Sequence, residues 1–408
     1  MGQRNATLAE PKQRSLNWKQ ANLSMKKYGM VLALIAVYLI FAFLTKGSNL
    51  TPMNINNLIM QNGYVVILAV GMLLCVLTGN IDLGVGSVVA SCGAVAGTLI
   101  VDFHMSSPMA ALAALAVGLL FGIFVGFFVS KLAIPPFIVT LATMLIGRGV
   151  CYVILRSQTK GPLPADYTWI GSGFLPTIPV AQGTSFGGTQ GVDLISLLVA
   201  VVISVLIVLF EMKSVITAKK HGLPVAPTWQ LIAKDVVIIG IVLFFFYKLS
   251  CYKGIPVVLI LMAILVGIYQ FITTRTVAGR QIYAMGGNAK AARLSGINTD
   301  KVFFWVYVNM GLLCGVAGIV LSARNASATP KAGDGFEMDA IASCYIGGAA
   351  TSGGVGTVIG AVVGAFIMGI LNNGMSLAGY DTNVQKIVKG CVLLGAVTVD
   401  LLSKRKKG

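Results

Sequence analysis

The sequence predicts an all-α fold, a polytopic transmembrane helical bundle of about 10–12 spans with N- and C-termini in the cytoplasm. Three observations carry that expectation: the apolar content, the row of long apolar runs, and the uneven placement of basic residues between them. Hydrophobic residues make up 56% of the chain and charged residues only 11%, against roughly 25% charged in a soluble domain. The length of 408 residues therefore counts membrane crossings instead of soluble domains.

Apolar runs fall near 28–45, 58–78, 84–103, 108–130, 135–155, 192–211, 230–248, 255–274, 302–322, 340–353, 356–374 and 385–402. Most reach the roughly 20 residues needed to cross the hydrocarbon core. The run at 340–353 is short and glycine-rich, and reads as a broken or re-entrant segment protected by surrounding protein. Residues 1–27 are polar and basic, no short apolar core sits near Met1, and no cleavage site follows Tyr28–Thr45. The leading segment is thus a cytoplasmic extension and not a secretory signal. Residues 28–402 form the membrane domain, with a cytoplasmic loop at 275–301, and 403–408 form a basic tail.

Crossing at each run places the basic residues of the leading segment, of 212–229, of 275–301 and of the tail on one side. The opposite loops hold only Lys46, Arg156, Lys160, Lys248, Lys253, Arg324 and Lys331. This positive-inside asymmetry puts both termini in the cytoplasm and requires an even number of crossings, for which twelve fits the runs. The net charge of +17 does not indicate nucleic acid, because the basic residues occur in short clusters between apolar stretches.

Cys75, Cys92, Cys151, Cys251, Cys314, Cys344 and Cys391 mostly lie within apolar runs, without metal-ligand spacing, and read as small packing residues. No metal site is expected. Gly118, Gly122 and Gly126 are four apart, as are Gly356, Gly360 and Gly364. Such small-residue faces let helix backbones approach in lipid. No Gly-Lys-Ser/Thr phosphate loop occurs, and no HExxH or Ser/His arrangement supports an enzyme.

Polar groups within apolar runs are the remaining candidates for chemistry. Gln61, Asn62, Thr140, Asn372 and Asn373 offer the amides and hydroxyls that a neutral polyol requires, or else bridge helices. Asp82, in Asn80-Ile81-Asp82-Leu83-Gly84, either lines a pathway or anchors a turn through backbone NH groups. Arg148 is expected to pair with a carboxylate or carbonyls, and Lys386 and Lys389 to snorkel to the outer interface.

The loop at 275–301 is the most informative stretch. Asn288 is an N-cap, Ala289 to Ser295 are helix formers and Gly296 is a stop, giving a helix of about two turns. Its face carries Ala291 and Ala292 beside Arg293. A helix this short is marginal alone, so it is either a solvated connection or an element that docks into another protein.

The segment GGNAKAARLSGI, 286–297, resembles the cytoplasmic coupling loop of ABC-importer permeases of the ribose/xylose/galactose type. LTGNIDLGVGS, 77–87, resembles the stretch after that family's second span, with Asn80 where a second glycine is typical and Gly84 where Ser is typical. A third match is GDGFEMDAIASCYIGGAATSGGVGTVIGAVVGAFIMGILNNGMSL, 333–377. The extra length, including 212–229, is similar to the longer xylose or multiple-monosaccharide branch.

The resemblance implies a permease subunit that translocates monosaccharides across the bacterial inner membrane by alternating access. The coupling residues would be Gly286, Gly287, Asn288, Ala291, Ala292, Arg293, Leu294, Ser295 and Gly296. The implied partners are cytoplasmic ATPase subunits, a periplasmic or lipid-anchored sugar-binding protein and a second permease copy. ATP and Mg would sit on the ATPase subunits, and this chain would bind no cofactor. Nucleoside import and a stand-alone ion-coupled transporter remain the alternatives.

Overall fold

A computed structural model describes residues 13–178, 192–222 and 228–405. The first twelve residues of the leading basic segment and the last three of the tail lie outside them. Every apolar run forms a helix, and among the described residues no regular strand forms. The first helix, α1, runs over Gln13–Leu44, so the second half of the leading segment continues the first apolar run as helix instead of preceding it as a separate extension. Thr51 and Pro52 start α2 (Pro52–Leu77): the Thr51 hydroxyl accepts from the Asn54 NH, and Pro52 has no NH to leave unsatisfied. Next come α3 (Val85–Val101), α4 (Ser107–Ser130) and α5 (Pro136–Leu155), followed by the short α6 (Ala165–Ser172).

A pair of helices, α7 (Leu194–Lys220) and α8 (Thr228–Ser250), packs chiefly against itself at the periphery. Asp193 caps α7, its Oδ2 accepting from the Ser196 NH at 2.9 Å. Lys234 joins the two helices through Glu211 at 2.6 Å, a pairing that the adjacent Lys234–Asp235 in sequence gives no hint of. The basic connection expected at 212–229 is shorter than that, because α7 continues through Lys213, Lys219 and Lys220. Then follow α9 (Val257–Arg275), α10 (Val277–Gly287), α11 (Ala289–Leu294), α12 (Thr299–Asn325), α13 (Phe336–Ile346), α14 (Val358–Leu377) and α15 (Thr382–Arg405).

Eight helices are long and apolar enough to cross a membrane by length and composition: α2, α4, α5, α7, α8, α9, α12 and α14. The apolar part of α1 (Gly29–Leu44) and α3 are shorter. The twelve apolar runs of the sequence therefore form helices of unequal length, eight of them long and apolar enough to cross. The shortest, α13, has 11 residues and rises only about 16 Å, roughly half the hydrocarbon core. Its chain nevertheless passes along the bundle. Residues 326–328 are hydrogen-bonded to 160–163 at one end, and Gly354 donates to the Leu77 carbonyl at the end that carries α10 and α11. The run at 340–353 is thus broken, a half-length helix followed by an irregular turn, 347–357.

The core forms around α2, which is almost wholly buried, with α12 and α14 against it. Among the described residues α4 and α12 share the most extensive contact in the bundle. A Cβ on Gly122 would lie 2.7 Å from the Tyr307 carbonyl, and one on Gly126 would lie 2.9 Å from that of Phe304. Gly118 rests on Gly311 in the same way. This is the close approach that the spacing of the three glycines predicts. The second set divides differently: Gly360 and Gly364 on α14 contact Gly347 and Ser343, but Gly356 lies in the turn before the helix, with φ +158°. Five of the seven cysteines are buried in this packing; Cys251 is half-buried and Cys391 exposed.

Replacing Gly122 by Ala should destabilise the fold by about 1–3 kcal/mol through overpacking. Gly267→Ala, on α9 with open space around the glycine, should be neutral. Thermal unfolding of the detergent-solubilised protein distinguishes the two, and equal melting points would contradict the assigned contact.

Candidate functional site

Residues 275–301 form two helices where the sequence suggested one. The Thr276 hydroxyl accepts from the Gly279 NH at 3.2 Å and starts α10; Asn288 Oδ1 accepts from the Ala291 NH at 3.0 Å and starts α11. Asn298 Oδ1 accepts from the Lys301 NH at 3.0 Å and starts α12. Such caps contribute about 0.5–2 kcal/mol each. Helix α10 escaped the sequence reading because its glycines suggest a loop, although Gly279, Ile282 and Met285 recur at helical spacing and are buried.

The outward face of α11 also differs from the expected one. Ala292 is buried against the chain's own core, 5% exposed, whereas Leu294 is 90% exposed. Ala291, Arg293, Ser295, Gly287, Asn288 and Gly296 are exposed beside Leu294, and Gly286 is half-buried. A leucine this open, flanked by one arginine and Lys290, is a small amphipathic knob. Its underside closes through the Ile297 NH, which donates to the Ala292 carbonyl at 3.1 Å, with Gly296 at φ +84° making the reversal.

At the inner end of α10, three separate stretches meet backbone to backbone. The Gly354 NH donates to the Leu77 carbonyl at 2.9 Å. A Cβ on Gly353 would lie 2.9 Å from the Gly79 nitrogen and 3.1 Å from the Gly286 oxygen, and one on Gly354 would lie 2.8 Å from the Gly287 nitrogen. A side chain at Gly286 would overlap the Leu77 carbonyl. The Tyr283 hydroxyl donates to the Gly356 carbonyl at 2.7 Å. Burial raises the Tyr283 phenol above its usual range and keeps it a donor.

Among the polar candidates, Asn372 and Asn373 sit in buried pairs. Asn373 exchanges amide hydrogen bonds with Asn54, at 2.9 and 3.1 Å, tying α14 to α2. Asn372 Nδ2 donates to Asp339 Oδ2 at 3.3 Å. Asp339 is 2% exposed, and Lys389 Nζ stands 2.9 Å from its Oδ1 and 3.0 Å from its Oδ2. Lys386 meets Asp334 at 2.8 Å and holds that carboxyl below the usual carboxylate range. Lys386 and Lys389, expected from the sequence to snorkel, thus form ion pairs, one with the segment leading into α13 and one with its first turn. Sequence reasoning missed Asp339 and Asn54; the one usable signal was an acidic residue in the first turn of an apolar run.

The other candidates do not join this group. Asn62 is buried against Gly369 of α14, and neither end of its amide has a hydrogen-bond partner among the described residues. Gln61 is half-buried on the same helix. Thr140 is fully buried and bonds within α5, its hydroxyl donating to the Phe137 carbonyl at 3.3 Å. Asp82 Oδ1 accepts from the Gly84 NH at 2.8 Å, which anchors the turn between α2 and α3. Arg148 donates to the Pro330 and Ala332 carbonyls at 3.0 and 2.7 Å.

A largely apolar cavity of about 440 Å³ opens between α9, α10 and α12, with Tyr269, Trp305, Asn309 and Lys301 in its wall. The Tyr269 hydroxyl donates to Asn309 Oδ1. Among the described residues no three His, Cys, Asp or Glu side chains converge as a metal site would require.

Lys389→Met should cost about 3–5 kcal/mol, because it leaves the Asp339 carboxylate buried without its partner. Adding Asp339→Asn should restore most of the loss. Melting temperatures of the two variants test the pair, and a double variant no more stable than the single one would contradict it.

The family model for the branched-chain amino acid transport system / permease component matches residues 54–397. The chain is 37% identical over 385 residues to the xylose transport system permease protein XylH of Escherichia coli K12, covering 94% of each chain. It is 36% identical over 389 residues to XylH of Haemophilus influenzae, 95% of this chain and 100% of the relative. To the ribose import permease protein RbsC of Escherichia coli K12 it is 35% identical over 370 residues, 90% and 92% of the two chains. No solved structure matches the chain. A bundle of apolar helices, with the three glycine-rich stretches in contact, and this full-length similarity give one conclusion: the chain is a multi-pass membrane protein of the branched-chain amino acid transport system permease family.

Proposed function

We propose that this chain is the membrane subunit of an ATP-driven monosaccharide importer of the bacterial inner membrane, with a pentose of the xylose or ribose kind as its solute. The observation that carries this reading is the 37% identity with a xylose permease across 94% of both chains. The exposed Leu294 and Arg293 on a capped two-turn helix supply the second half of the argument. A leucine knob beside a cation suits a shallow apolar groove with an acidic rim on a cytoplasmic ATPase. ATP and Mg belong to that ATPase, and this chain contributes the pathway.

In this reading both termini, α10 and α11 face the cytoplasm, as the distribution of basic residues favours. A binding protein on the opposite side delivers the sugar, and the solute passes between two copies of the chain.

The test is reconstitution with an importer ATPase and a sugar-binding protein from the same organism. ATP-driven uptake of labelled xylose or ribose is expected, and its absence with every pentose and hexose would overturn the reading. Leu294→Asp should lower sugar-stimulated ATP hydrolysis about tenfold, as loss of a central anchor does. Arg293→Glu should act in the same direction. Both variants should keep the unmodified melting point, since neither side chain is buried.

A further inference from the structure

The three stretches that carry the family resemblance are far apart in the sequence, yet their glycine-rich parts share one contact. Gly79 follows the end of α2, Gly286 and Gly287 end α10, and Gly353 and Gly354 lie in the turn that interrupts the passage from α13 to α14. Each contact is main chain against main chain, so no flexible side chain absorbs a displacement. Gly353 and Gly354 have φ of +80° and +71°, conformations that hold the turn in a shape other residues adopt only under strain.

What lies beyond the turn is stiff. Gly347 and Gly360 touch across the α13–α14 hairpin, as do Ser343 and Gly364. Cys344 Sγ lies 3.4 Å from the Ala69 carbonyl of α2. With only 11 residues, α13 places Asp339 about two turns from the interruption. Asp339 in turn holds Lys389 of α15 and Asn372 of α14. A shift of the turn therefore reaches the buried ion pair without any long element having to bend.

We propose that this junction is the joint through which α10 and α11 move the α13–α14 hairpin, with Leu77 at the end of α2 as its fixed post and Tyr283 as its positioning residue. Tyr283 on α10 donates a side-chain hydrogen bond to the turn. Gly354 donates to the fixed post. One bond lies in the glycine contact and the other two residues further along the turn, so together they set the angle between the loop and the hairpin. The joint rests on the importer reading for its driving force, but its mechanical linkage is a property of this chain alone.

Tyr283→Phe removes one hydroxyl and no packing volume. In the reconstituted complex, ATP hydrolysis should stay within about twofold while sugar transported per ATP falls about fivefold, the effect of one lost hydrogen bond. Gly354→Ala should lower the same ratio further. A merely structural role would reduce hydrolysis and uptake together and leave sugar per ATP unchanged; that result overturns the joint. If the unmodified complex shows no ATP-driven uptake, the importer reading fails and the joint is judged by hydrogen exchange of the full-length purified chain. Tyr283→Phe should then speed exchange at 350–357 and also within α13. Faster exchange confined to 283–287 overturns the proposal.

Discussion

Main chain packed on main chain, with no side chain between, is the constraint on which the rest of this structure depends. In a bilayer, apolar side chains gain nothing by leaving lipid for one another, so helices adhere through close van der Waals fit. Gly118, Gly122 and Gly126 give α4 that fit on α12, and Gly360 and Gly364 give it to α14 on α13. The same device recurs at Gly286, Gly353 and Gly354, where it joins no helix pair but three chain reversals. Stability and articulation in this bundle therefore use one kind of contact.

That contact also explains how a half-length helix survives in the interior. Ending α13 at Ile346 leaves carbonyl and NH groups that lipid cannot satisfy. The turn answers them locally: the Gly347 NH donates to the Ser343 carbonyl at 2.9 Å, the Ala349 NH to the Cys344 carbonyl at 2.9 Å and the Gly348 NH to the Tyr345 carbonyl at 3.0 Å, while the Gly354 NH reaches Leu77. Only a backbone that comes this close to its neighbours can exchange such bonds. The ion pair at the other end has a related logic. Asp339 is buried in the first turn of α13, where Lys389 and Asn372 compensate its charge, and the helix start itself favours an anion.

The sequence made the fold class, the order of helices and the close-packing glycine face of α4 legible, because each rests on local composition or on fixed spacing. Asn288 as a cap and Gly296 as a stop were legible for the same reason. What escaped depends on where helices lie relative to one another. The Lys389–Asp339 pair spans 50 residues, and no periodicity links its members. Ala292 and Leu294 are two positions apart on a helix too short to show an amphipathic pattern, so only packing reveals that alanine turns inward and leucine outward. Helix α10 was hidden by the glycines at its end, which serve contact and not flexibility. Of the polar residues singled out, Asn372 and Asn373 proved to be parts of pairs, whereas Thr140 bonds to its own helix and Asp82 to its own turn.

The division of labour along residues 283–294 follows from these placements. Alone, six residues of helix are too few to persist in water. Here α11 is held by its Asn288 cap, by the buried Ala292 and by the reversal at Gly296. It needs little ordering when a partner arrives, so contact with Leu294 and Arg293 loses little entropy. Seven to eleven positions earlier, Tyr283 and Gly286 face inward, and a methyl added at Gly286 would collide with the Leu77 carbonyl. In the proposed importer, recognition and transmission thus occupy opposite sides of one short stretch of chain. A side chain on the outer side can be exchanged at the cost of partner choice alone. On the inner side, size is fixed by the main chain of α2 and of the turn, so this half is constrained whatever the partner or the solute.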